Sequence, residues 1–151
     1  RQMCIRDSTI TGQWTLTAGS TLQSTYADIA ERYAADAVYD VGTVLVVGGQ
    51  KEVTVSYMKY HPAVAGIVSA NAAYKMNVEA GTDDTHPYIA LKGRVPCKVI
   101  GKIAKGDTLV TSGTPGHAKA AAGQEMLCPT AIVGIALEAN EAGFGVIQVK
   151  V

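Results

Sequence analysis

Tyr39-Asp40-Val41-Gly42-Thr43-Val44-Leu45-Val46-Val47 and, further on, Ile103-Ala104-Lys105-Gly106-Asp107-Thr108-Leu109-Val110-Thr111 follow one template. In each, glycine and a polar residue precede a run dominated by β-branched and aliphatic side chains, the pattern of a chain that turns a corner into a strand. A second pair follows in the same order and at similar spacing. Ala65-Gly66-Ile67-Val68-Ser69-Ala70-Asn71 is repeated loosely as Val133-Gly134-Ile135-Ala136-Leu137-Glu138-Ala139-Asn140. Two copies of one supersecondary design, over about 31–80 and 95–145, are the expectation.

Glycines at 42, 48, 49, 93, 101, 106, 113, 116, 123, 143 and 145 punctuate the chain. Breakers at that density suit a compact β fold of short strands far better than a helical bundle. The expected fold is mainly β: a single compact domain of short strands built from two related β units, preceded by a short fibrous stub. Residues 144–151 read as a terminal strand, and the polar stretch 71–87, with Gly81-Thr82-Asp83-Asp84, as a mobile loop. Thr25 to Tyr33 carries two signals. Tyr26, Ile29, Ala30 and Tyr33 have helical spacing, and Thr25 with Asp28 matches a capping box. The duplication favours a strand, because Glu31-Arg32-Tyr33 aligns with Val95-Pro96-Cys97.

At 151 residues with 48% hydrophobic content, the chain can bury one ordinary core. Thirteen basic and thirteen acidic residues cancel, so no net field draws it to nucleic acid or an anionic membrane. Charged residues make up only 17%, which leaves apolar surface to be covered, and burial between subunits is one way to cover it. Cys4, Cys97 and Cys128 are odd in number and widely spaced, which fits buried thiols and neither a disulfide framework nor a zinc site. No apolar run is long enough for a membrane span. Residues 1–8 share no pattern with the rest and read as an adaptor-derived segment, 9–26 as the end of a fibrous shaft or linker, and 27–151 as the C-terminal β domain.

Trp14-Thr15-Leu16-Thr17-Ala18-Gly19-Ser20-Thr21-Leu22-Gln23-Ser24-Thr25-Tyr26-Ala27-Asp28-Ile29-Ala30-Glu31-Arg32-Tyr33 resembles the junction of phage tail fibres where the shaft meets a C-terminal domain. Gly42 to Val47, Val64 to Asn71 and Gly93 to Val99 look like the same family, so the resemblance runs from Thr11 to Val151. It implies a virion structural protein made in the host cytoplasm, the tip or trimerisation and folding domain of a tail fibre. The implied partners are two further copies, the rest of the fibre and a host cell-surface glycan, with no nucleic acid and no membrane insertion. Asp28-Ile29-Ala30-Glu31 further resembles the Asp-x-x-Glu of the self-cutting, glutamic peptidase-like chaperone domains of phage neck appendages and tail spikes. The resemblance implies a cut between Ala27 and Asp28.

Two carboxylates can do such work when one, kept protonated, serves the leaving amide while the other stays ionised. The self-cutting relatives carry serine before the aspartate. Here Ala27 lacks the hydroxyl needed for an acyl shift, so permanent attachment is the expectation. The bland alternative makes Asp28 a cap or surface charge and Glu31 a partner of Arg32 or Lys98. For receptor binding, the seven tyrosines are the candidates, with Tyr57, Tyr60 and Tyr74 in the most polar surroundings. His61, His86 and His117 lie far apart and read as turn residues, so neither a metal nor a cofactor is expected. No phosphate-binding glycine loop or serine-hydrolase elbow occurs.

Overall fold

The computed structural model describes residues 11–13, 15–122 and 128–151. The segment 1–8, Trp14 and Cys4 therefore lie outside the described residues. Ten strands form: β1 Asp28–Arg32, β2 Val44–Val47, β3 Val53–Val55, β4 Val64–Val68, β5 Tyr74–Met76, β6 Tyr88–Ile100, β7 Thr108–Thr111, β8 Ala118–Ala120, β9 Ile132–Ala136 and β10 Phe144–Lys150. Two 3-10 turns, Val78–Ala80 and Pro129–Ala131, complete the elements. The strand over 28–32 agrees with the duplication and not with the helical spacing.

The pairings close two small five-stranded rings on the one long strand β6. In the second ring β8, β7, β9, β10 and the C-terminal half of β6 pair in turn, and β6 returns to β8 through the parallel pair Val99–Ala118. In the first, β3, β2, β4, the N-terminal half of β6 and β1 follow the same circuit. A single parallel bridge, Ala35–Val53, closes it. Closure removes sheet edges that would otherwise offer unpaired backbone to other chains.

Register proves the duplication pair by pair. β2 meets β4 as Val44–Ile67, Leu45–Gly66 and, across a bulge, Val46–Val64; β7 meets β9 as Thr108–Ile135, Leu109–Gly134 and, across a bulge in the same place, Val110–Ile132. Gly42 N–H donates to Val68 O at 2.9 Å and Gly106 N–H to Ala136 O at 2.8 Å. Both glycines hold positive φ, 84° and 95°, the left-handed conformation that the corner requires. The Leu45, Val53, Val68 and Ile89 core of the first barrel corresponds to Leu109, Ala118, Ala136 and Val149 in the second. Each set comes from alternate residues of its strands, as inward-facing positions must. The units run wider than the sequence indicated: unit one takes in β1 and the first half of β6, unit two the rest of β6 and all of β10.

Two expectations need correction. The stretch 71–87 contains β5 and a 3-10 turn, and β5 pairs in parallel with β1 through Ile29–Tyr74, Ala30–Lys75 and Glu31–Met76. Its polarity signalled a loop because β5 is short and sits outside the barrel, where nothing demands apolar side chains. Cys97 is buried as expected, but Cys128 is exposed.

The barrels touch through unlike surfaces. From the first, Gly42 O accepts Lys98 N–H at 2.8 Å, Val44 N–H donates to Gly116 O at 2.9 Å, and Ser56 O accepts Gly116 N–H at 2.9 Å. Val44, Ile67 and Ala90, on the outside of the first barrel, join the second barrel's hydrophobic cluster. The connection 57–62 then reaches across: Thr111 Oγ1 donates to Met58 O and accepts His61 N–H, both at 2.8 Å. Tyr60, held at φ 56°, accepts hydrogen bonds from Lys119 Nζ at 3.1 Å and Ala122 N–H at 3.2 Å. A left-handed tyrosine costs roughly 1–3 kcal/mol and persists where surrounding contacts enforce it.

Candidate functional site

Asp28 opens β1 and pairs with Gly93; Glu31 pairs with Ile89. On one strand, residues three apart point to opposite faces. Asp28 shares its face with buried Ala30, while Glu31 shares the other with Tyr33, whose hydroxyl donates to Glu31 Oε2 at 2.9 Å. That bond and burial push the Tyr33 hydroxyl above its usual pKa, burial being the larger cause. The two carboxylates therefore do not face a common peptide within this chain.

Asp28 is 4% exposed, so it is neither a surface charge nor a solvated cap. Its Oδ2 is buried without a hydrogen-bond partner, beside a cleft of about 250 Å3 lined by Tyr26, Ser69, Asn71, Arg94 and Gln148 among others. Glu31 pairs with neither cation proposed for it. Arg32 bonds Asp83 at 2.9 Å and stacks 4.0 Å from the Tyr88 ring, and Lys98 reaches Asp40 at 3.3 Å. Glu31 bonds its near neighbour Tyr33 instead, while both cations take carboxylates distant in the chain.

The tyrosines do not form one surface. Tyr57 is 71% exposed and lines a cleft of about 590 Å3. Tyr60 is engaged between the barrels, and Tyr74 sits on β5 outside the first barrel. The large cleft, which no sequence motif announced, is bounded by Val47, Gly48, Gly49 and Gln50 of the β2–β3 turn with Asp36, Thr54, Ser56 and His61. The Gly48-Gly49 pair was the available signal, since such a turn leaves an open hairpin end. Across its wall Tyr39 O–H donates to Asp36, and this bond, with one from Thr54, holds the Asp36 carboxyl below the usual carboxylate range.

Among the described residues no three His, Cys, Asp or Glu side chains gather as metal ligands, and no helix is long and apolar enough to cross a membrane. His61 Nδ1 accepts Ala63 N–H, His86 meets Thr85, and His117 packs edge-on to Phe144. No protein-family model matches the chain, and a search of curated proteins found no match.

Proposed function

We propose that this chain is a structural virion component, the C-terminal tip or trimerisation and folding domain of a phage tail fibre. One observation carries the reading. Residues 15–26 are exposed throughout, form no strand and make only local hydrogen bonds before β1 begins. Leu16, Leu22 and Tyr26 stand exposed along this stretch. A segment with exposed apolar side chains that, among the described residues, bonds only within itself suits winding with identical segments of other chains. The double barrel then acts by registration: tips that associate first remove much of the entropic cost of aligning shafts, which zip from that nucleus.

The opposed carboxylates and Ala27 speak against the self-cutting alternative. The test is the denatured intact mass of the chain with upstream shaft sequence attached. The uncut mass is expected, unchanged by Glu31→Gln. A cut before Asp28, abolished by Glu31→Gln, would overturn the reading in favour of an autoproteolytic chaperone.

A further inference from the structure

We propose that neighbouring chains dock by repeating the barrel–barrel contact that each chain already contains, so that the 590 Å3 cleft of the first barrel receives the second barrel of another copy. The duplication supplies the argument. The positions of barrel two that hold the connection 57–62 are Thr111, Gly113, Lys119 and Ala122, which bond or approach Met58, Lys59, Tyr60 and His61. By the register of the two units, Thr111 and Lys119 have Val47 and Thr54 as counterparts, and Gly49 and Tyr57 lie in the turn and at the strand end that match those of Gly113 and Ala122. All four line the 590 Å3 cleft. What Tyr60 and its neighbours occupy in barrel two stands open in barrel one.

The complementary face is open as well. Ile67, fully buried where barrel one meets barrel two, has Ile135 as its counterpart on β9, and Ile135 is 43% exposed. Ile132, the counterpart of Val64, is exposed beside it. Thr108 and Lys150 replace Val44 and Ala90, giving a more polar face of the kind that suits association after folding. Each chain thus presents one socket and one plug, unlike each other, and contacts between unlike surfaces close into rings or run on as filaments. The occupant of the cleft is a second copy of this chain. The number of copies, three, rests on the tail-fibre reading; the contact does not.

Val47→Glu blocks the socket and Ile135→Glu the plug, both at exposed positions, and an unchanged far-UV circular dichroism spectrum with a cooperative melt verifies that each variant folds, the melting temperature itself falling with the lost association. Native mass spectrometry should give a trimer for the wild type and a monomer for each variant alone. An equimolar mixture should yield a one-to-one heterodimer, because the Val47→Glu chain keeps its plug and the Ile135→Glu chain its socket. Assemblies larger than three would uphold the contact and overturn the trimeric tip. Trimers that survive both substitutions would overturn the contact and leave the tip reading standing. Failure of the mixture to pair overturns the proposal, as does a monomeric wild type; Tyr57-dependent binding of that monomer to a glycan array would assign the cleft to a receptor instead.

Discussion

Asp36 and Tyr39 show how a residue pair written close together acquires a consequence only in the fold. The hydroxyl of Tyr39 donates to Asp36 and accepts the Val55 N–H at 3.1 Å, tying the segment before β2 to β3. Because the Asp36 carboxyl is held below its usual 3.8, the folded state binds fewer protons there than the unfolded chain. Its contribution is fully present above the ordinary carboxylate pKa and is lost as pH falls through the lowered value. Tyr39→Phe should therefore flatten the acid end of the stability profile, and because Asp36 is exposed and solvent screens its bond, cost only about 0–1 kcal/mol at neutral pH, read by urea melts between pH 2 and 7. The two described cysteines differ just as sharply. Burial pushes the Cys97 thiol up to about 12, whereas exposed Cys128 is lowered, first by its bond with Thr130. Thiolate is the reactive form. Peptide mapping after brief iodoacetamide treatment of the folded protein should find Cys128 modified and Cys97 untouched until denaturant is added; labelling of Cys97 in the native state would contradict its burial.

At the scale of elements, Gly66 and Gly134 are the clearest marks of duplication. A Cβ on Gly66 would meet Ala90 O at 2.5 Å and Ile89 Cγ2 at 2.7 Å; on Gly134 it would meet Lys150 O at 2.5 Å and Val149 Cγ1 at 2.6 Å. The partners correspond as closely as the glycines do. Gly66→Ala and Gly134→Ala should each destabilise by about 1–3 kcal/mol, the usual cost of overpacking where backbone cannot yield. A neutral result at either position in thermal melts would mean the strands do not cross so closely. The repeated corner and the β4/β9 run were legible because glycine and β-branched side chains are required there whatever surrounds them. Ring closure was not, since it depends on the parallel pairs Ala35–Val53 and Val99–Ala118, which leave no local pattern. Likewise the Asp28–Glu31 spacing could be read, while the buried place of Asp28 depends on its pairing with Gly93 of β6 and on the Ala73 N–H bonded to its carbonyl, both distant in the chain.

For the whole molecule, charged residues are only 17% of the chain, and the exposed Ile132, Ile135 and Val47 lie on the two faces that the proposed docking would cover. The large cleft was hidden from sequence reading because it is defined by what the second copy of the unit receives and the first does not. Light scattering of the 151-residue chain over a hundredfold range of concentration is the most direct measurement. A trimeric tip predicts a molar mass of three times the 15.7 kDa chain, stable to dilution; a single-chain mass at the highest concentration would contradict it.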